Sequence, residues 1–292
     1  MKVLVTGASA FIGSTISESL SRKYDVSSPS STELNLLDSE KVKDYLKINK
    51  FDFIIHCANH LVHPLLKESK NPELQLINNL KMFFNFAYNK DLFGKMIYFG
   101  SGAEFSREKW TIKMKEDFFG AYYPNDQYGQ SKYYMNIHTR NTEDIYNLRL
   151  FGMFGEKDDW RFRFIPYLCA KASLNEDLIV NQDSIFGFLY ADDLVSIIIR
   201  FMENPPKFGD YNVCNDEHLH LLDIAKTISR LGNKNKIILK KKGILTSYSG
   251  DNSKLIQAFP DLSFTPVNVG IEKVLKFYID SPGIIDQSKF LI

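Results

Sequence analysis

The N-terminus constrains this chain more than any other stretch. Lys2–Thr6 (KVLVT) is a short apolar run that predicts a strand, Gly7-Ala8-Ser9-Ala10-Phe11-Ile12-Gly13 predicts a turn, and residues 14–22 have helical spacing. A strand, a glycine turn and a helix in that order aim backbone N–H groups and the positive end of a helix dipole at one point, which suits a pyrophosphate. Gly7 permits the tight turn and Gly13 lets the helix pack close to the strand. Ala10 stands where a middle glycine is commoner, and its methyl is small enough to leave room for a phosphate.

The pattern continues along the first half. Strand-like runs at 51–56, 95–99 and 145–150 alternate with helix-like runs at 72–89 and 127–143. Such alternation predicts an α/β fold with a doubly wound parallel sheet covered by helices on both faces. After Gly155 the pattern changes to a helix over 163–173 and a short strand over 178–180. Residues 188–203 (FLYADDLVSIIIRFME) return to the main lobe, with a helix starting at Tyr190-Ala191-Asp192-Asp193. A strand at 211–214 and helices at 221–231 and 268–278 follow. The expected division is interleaved: 1–155 and 186–215 form a dinucleotide-binding lobe, 156–185 and 216–292 a smaller α/β substrate lobe.

Composition narrows the function class. A hydrophobic share of 44% over 292 residues is ample for such a core, and a net charge of +1 argues against nucleic-acid or membrane attraction. The Lys240-Lys241-Lys242 run reads as a solvated strand end, with a phosphate contact as its alternative. Cys57, Cys169 and Cys214 are an odd number without paired spacing, which fits a reducing compartment. Residues 1–7 do not resemble a signal peptide, and no run approaches the ~20 apolar residues of a membrane span. A soluble cytoplasmic protein is expected. His56, His60 and His63 lack a carboxylate or cysteine cluster, so no metal site is expected; His56 reads as a buried strand residue.

Chemistry enters with Ser101, at the exit of a strand in KMIYFGSGAEF, and with Tyr128 and Lys132 of YGQSK, just after the helix start at Pro124-Asn125-Asp126. An i,i+4 spacing puts phenol and ammonium on one helix face. A free tyrosine has a pKa near ~10, and a lysine charge beside it favours the phenolate. A serine hydroxyl can hydrogen-bond a carbonyl oxygen on which charge develops. Tyr167 and Lys171 repeat the spacing but follow no strand-end serine, so they read as an ordinary helix face.

TGASAFIG, the strand-end serine and YGQSK together resemble the extended short-chain dehydrogenases/reductases, a family of nucleotide-sugar epimerases, dehydratases and reductases. Within it, ELNLLD (33–38), residues 42–59 and the spacing Asn79…Asn85 resemble the GDP-L-fucose synthase branch, from residue 1 to about residue 204. The resemblance implies a Rossmann sheet, catalysis by Ser101, Tyr128 and Lys132, and a nicotinamide dinucleotide. That cofactor is expected along Gly7, Ser9, Ala10, Phe11, Ile12 and Gly13, at Ser28, Leu37 and Asp38, and along Cys57-Ala58-Asn59, ending beside Tyr128 and Lys132. Substrate is expected near Asn79, Ala103 and Arg163.

The departures from that branch select a reaction. Where it carries a cysteine and a histidine that move protons on sugar carbons, this chain has Ala103 and Arg163; alanine cannot titrate and arginine cannot act as a base. A dehydratase's Asp-Glu pair is also missing, with Glu104 one position too late. Relatives carry a basic residue at the place of Phe186 and another near 248–250, and neither is present here; Arg161, Arg163 and Lys171 are the candidates to compensate. The second strand, 24–28, ends in Ser27-Ser28-Pro29-Ser30-Ser31 with no acid for a ribose, and with Arg22 and Lys23 nearby. NADP(H) is therefore favoured, with NAD(H) as the alternative.

The reading is an NAD(P)H-dependent oxidoreductase that reduces a keto group of a nucleotide-linked deoxysugar in surface polysaccharide synthesis. Its alternatives are a sugar- or polyol-phosphate dehydrogenase, a nucleotide-sugar epimerase, and a silent cofactor-binding subunit. The helices at 72–89 and 127–143 carry more apolar width than one stripe (Leu76, Leu80, Phe83, Phe84, Ala87; Tyr133, Tyr134, Ile137), which predicts a two-fold homodimer.

Overall fold

The fold is described from a computed structural model, covering residues 1–63, 65–66 and 70–291. In chain order the first half runs β1 Lys2–Thr6, α1 Phe11–Leu20, β2 Asp25–Ser27, α2 Ser39–Asn49, β3 Phe53–His56, α3 Gln75–Ala87, β4 Lys95–Ser101, α4 Gln127–Thr139 and β5 Ile145–Leu150. The second half runs β6 Gly152–Phe154, α5 Phe164–Ser173, β7 Leu178–Asp183, β8 Ile185–Tyr190, α6 Ala191–Glu203, β9 Gly209–Val213 and β10 His218–His220. It ends with α7 Leu221–Leu231, β11 Ile237–Ile244, α8 Ser253–Ala258 and α9 Val267–Asp280.

Six strands form the main sheet in the order β2-β1-β3-β4-β5-β9, all parallel. Every residue of β3 and β5 is buried, as expected of central strands covered on both faces, and the polar side chains among them, His56, Asn147 and Arg149, are buried with the rest. One face packs Ile16 and Leu20 of α1 and Leu194, Ile198 and Phe201 of α6 against Val3, Val5 and Leu148. The other packs Leu46 of α2, Phe83 and Phe86 of α3 and Met135 of α4 against Leu4, Ile54 and Tyr98. The order reverses between β1 and β3, and a crevice at the carboxyl ends of strands at such a point is where α/β sheets bind ligands.

A second core is built of α5, α7 and α9 residues packed with Leu178 and Val180 of β7 and Phe188 of β8. Beside it stand a three-stranded sheet β10-β8-β6 and the pair β11-β7. The lobes are laced together: α6 follows β8 back onto the main sheet, and Leu255 of α8 packs there with Phe259.

Several bounds differ from the expected ones for local reasons. The first helix starts at Phe11, because Ala10 already has the extended geometry of a cap. Pro72–Leu74 is a single tight turn before α3, and α4 stops at Thr139. No membrane-crossing helix and no metal-binding group of histidine, cysteine and acidic residues occurs among the described residues.

Candidate active site

The glycine turn is built tightly. Gly7 has φ +68°, and a Cβ there would stand 2.8 Å from Ala58 Cα, so only glycine lets β1's exit lie against the segment leaving β3. That segment is pinned from below: Thr6 Oγ1 accepts the Ala58 N–H at 3.2 Å and shares a 3.0 Å hydrogen bond with the buried His56 ring. The first helical bond runs from Ser14 N–H to Ala10 O (2.8 Å), so the amides of the first turn of α1 face outward, with no acidic side chain in that turn to fill them. Asn59 Oδ1 is buried without a partner among the described residues. A cradle of this kind fits the pyrophosphate of a dinucleotide.

Across the crevice, β4 delivers Ser101 into a helical turn that it caps itself: Ala103 N–H donates to Ser101 Oγ (3.2 Å), and Ser101 N–H donates to Glu104 Oε1 (3.1 Å). Glu104 is fully buried and accepts from Arg149 Nη2 at 3.0 Å; the same nitrogen donates to Asp210 at 2.6 Å. Burial raises the Glu104 pKa against the pull of Arg149, while Asp210 is drawn well below the carboxylate range, mainly by Arg149 and Arg140 working against its burial. Glu104 is thus a clamp on the serine's backbone. Locked in that ion pair, it is not available as a dehydratase acid.

α4 sets Tyr128 and Lys132 on one face, capped by Asp126, whose carboxylate accepts the Gly129 N–H at 2.9 Å. The Lys132 ammonium lies 5.6 Å from the centre of the Tyr128 ring. Burial brings Lys132 down to about 8, opposed by the Glu104 carboxylate. The Tyr128 phenol moves the other way from the expected shift. Burial raises its pKa, and the charges drawing it back are those of Arg107 and Arg163, together with the Ser101 hydroxyl. Arg107, which the sequence did not single out, has its guanidinium 6.0 Å from the Tyr128 ring and 5.0 Å from Trp110.

The remaining expected residues separate into two groups. Arg163 faces Tyr128, and its Nε lies 4.0 Å from the Asp158 carboxylate. Cys57 lies close enough to Lys132 to feel its charge. Ser28 closes the end of β2 by a 2.7 Å hydrogen bond to Ser17, and Leu37 is exposed. Asp38, by contrast, caps α2 through the Lys41 N–H (3.1 Å). Asn79 is buried and accepts the His60 N–H at 2.7 Å, so it fixes the loop after β3. Ala103 is fully buried. Arg161 pairs with Asp159 and Lys171 with Glu176, so neither phosphate candidate is uncommitted. Tyr167 is buried in the second core.

Residues 3–214 match the NAD dependent epimerase/dehydratase family. The chain belongs to that family. Members are NAD(P)-dependent enzymes, which agrees with the cradle between β1 and β3 and with Ser101 at the end of the neighbouring β4. The chain is 24% identical to GDP-L-colitose synthase of Yersinia pseudotuberculosis, over 96% of its own length and 98% of that protein. Its fold is similar to the NADP-bound GDP-L-fucose synthetase of Naegleria fowleri (TM-score 0.83, 18% identity, covering 97% of this chain and 93% of that one). It is also similar to the GDP-mannoheptose C4 reductase of Campylobacter jejuni with NADP (TM-score 0.80, 17% identity, 95% and 98%).

Within this family member, Phe186 and Tyr248 come together with ring centres 5.5 Å apart, at the two places where the sequence lacks a basic residue. Tyr248 packs on Trp110 at 3.9 Å. Sequence reasoning took these two places only as missing charges, because an aromatic side chain carries no signal of its own until its neighbours are known.

Proposed function

We propose that this enzyme reduces the keto group of a nucleotide-linked deoxysugar, as a step in making a surface polysaccharide. The observation that carries the reading is the pairing of an intact Ser101, Tyr128 and Lys132 set with a buried alanine at 103 and a locked Glu104. That set can complete a reduction, whereas epimerisation by proton exchange beside the carbonyl and dehydration each need a further acid or base that these residues do not supply.

When bound, the dihydronicotinamide supplies a hydride to the carbonyl carbon. The chain's own residues do the rest. Ser101 Oγ donates a hydrogen bond to the carbonyl oxygen. Tyr128, kept protonated at neutral pH by its raised pKa, gives that oxygen its proton. Lys132, charged below about pH 8, steadies the phenolate left behind. One hydride and one proton make the alcohol.

A cavity of ≈ 550 Å³ in the second lobe supports a nucleotide handle; its walls include Phe162, Phe164 and Phe186 together with Lys240 and Lys241. Rings can stack on a base and two ammonium groups can meet phosphates. The Phe186–Tyr248 pair favours a second reading, a sugar- or polyol-phosphate dehydrogenase without a nucleotide. We infer NADP(H) ahead of NAD(H), because β2 runs out in Ser27 and Ser28 without a carboxylate. Arg22 is free to turn toward a 2′-phosphate, since its 3.4 Å pair with Glu18 is solvent-exposed and weak. Lys23 is held by Glu203.

The test is incubation with NADPH and GDP- and CDP-linked 4-keto-6-deoxysugars in deuterated water. NADPH oxidation with no solvent deuterium on the carbons flanking the carbonyl is expected. Deuterium there would establish epimerisation, and no oxidation with any of them overturns the reading. Failure of nucleoside diphosphates to inhibit would favour the second reading.

A further inference from the structure

We propose that Tyr248 is a positioning residue for the hydride site: its phenol donates to Ser101 Oγ and so points the serine's single proton at the substrate carbonyl. The inference rests on the reading of Ser101 as the group that meets that carbonyl.

The placement is specific. Ser101 and Leu150 are partners in the β4–β5 register, and the Tyr248 hydroxyl sits at that pair, 3.5 Å from Leu150 O. It lies so close to the next residue that a Cβ on Gly102 would be 2.6 Å from the hydroxyl and 2.5 Å from the ring. Trp110 presses on the far face of the ring at 3.9 Å and is itself tied to the same glycine, donating from Nε1 to Gly102 O at 2.8 Å. Phe151 and the backbone bridge between Phe186 and Tyr248 close the remaining sides. A ring held on so many sides aims its hydroxyl with little freedom at the Ser101–Leu150 pair.

Counting protons then fixes the direction. A serine hydroxyl has one proton to give and two lone pairs to fill. Ala103 N–H fills one of them. Leu150 O, at 3.5 Å, is far beyond the 2.7–2.8 Å usual for an O–H···O bond and competes poorly for the Tyr248 proton. With Tyr248 donating into the second lone pair, the Ser101 proton has one direction left, outward toward Tyr128 and the carbonyl. The charged groups facing this cluster are Arg107 and Arg163, Glu104 beneath Ser101, and Lys132. None of them is a hydrogen-bond partner of the Tyr248 hydroxyl among the described residues.

The experiment has two arms on the intact protein. In the first, Tyr128 is replaced by 3,5-difluorotyrosine, whose phenol ionises nearer neutrality, and its titration is followed by fluorine NMR without any substrate. Tyr248→Phe, which keeps the ring and its packing, is expected to raise the Tyr128 midpoint, because the serine then stabilises the phenolate less well. In a Ser101→Ala background the same change is expected to do nothing. In the second arm, Tyr248→Phe lowers kcat about tenfold with substrate KM nearly constant, and again adds nothing to Ser101→Ala. No shift in the titration, or a shift of equal size with and without Ser101, overturns the proposal. If the wild-type enzyme turns over none of the keto sugars, the proposed reaction fails while the first arm still decides the role of Tyr248.

Discussion

Arg149 reaches Glu104 at 3.0 Å with neither side chain exposed to solvent, and the same carboxylate holds the backbone N–H of Ser101. A buried ion pair is weak evidence for net stability, yet removing one partner strands the other. Arg149→Met leaves Glu104 without its cation, while Asp210 keeps Arg140 at 2.8 Å, and is expected to cost about 3–5 kcal/mol in urea unfolding. Glu104→Gln keeps an acceptor for Ser101 and leaves Arg149 paired with Asp210, so it should cost less, about 1–3 kcal/mol. Equal losses from the two would show that the clamp works through charge alone.

Tyr128→Phe should lower turnover by about 10²–10⁴-fold while NADP(H) affinity stays near that of the wild type. Stopped turnover together with lost cofactor binding would mean that the phenol is structural.

The pH profile follows from Lys132. Its ammonium form exists below about pH 8, so turnover should fall on the alkaline side through that value. The linkage sign runs the other way for stability. A lysine pKa depressed on folding means the unfolded chain binds the proton more tightly, so the folded state is penalised below about pH 8 and the penalty fades as pH rises toward the unfolded value. Lys132→Met should therefore abolish turnover and yet raise stability at pH 7, on the order of 1–3 kcal/mol. Thermal melts at pH 7 and pH 10 decide it, with the gain expected to shrink at the higher pH.

Gly7→Ala forces a Cβ to within 2.8 Å of Ala58 at a positive φ. The strain is about 1–3 kcal/mol, and it falls on the cradle itself. NADP(H) binding measured by calorimetry should weaken by at least about tenfold.

The helix pair α3 and α4 leaves an apolar groove of ≈ 520 Å³ lined by Leu80, Phe84, Tyr88, Tyr134 and Ile137, while Phe83 and Ala87 turn into the protein's own core. Tyr88 is 77% exposed, an unusual state for a large ring on a monomer surface. The proposed two-fold dimer pairs this groove with its copy. Light scattering should give twice the 33.7 kDa chain mass, and Tyr134→Glu with Ile137→Glu should return the monomer.

How far the sequence carried can be read from single residues. Gly7, the apolar β1 and the order Ser101, Tyr128, Lys132 were legible because each depends on local backbone geometry or on residue type. Arg149 was not, since a charge inside a strand gains its partners only when the β5–β9 register sets it beside Asn212 and Asp210. The direction of the Tyr128 shift escaped for the same reason, because burial is set by the whole fold. β6 and β10 span three residues each, too few for any period to declare itself. Asp38 and Asn79 were placed by resemblance, and the hydrogen bonds they make to the Lys41 and His60 N–H groups carry no sequence signal because they depend on how the chain folds back.

The position of β9 bears on how the protein is made. β5 receives its outer neighbour only when Tyr146 meets Gly209 and Leu150 meets Val213, after the whole stretch from β6 to α6 has emerged. On the ribosome, a nascent chain ending before residue 209 therefore carries a main sheet with one bare edge, built from the fully buried residues of β5. Bare apolar edges recruit other strands. Synthesis of this enzyme thus passes through an interval in which that edge stays open until the last strand arrives.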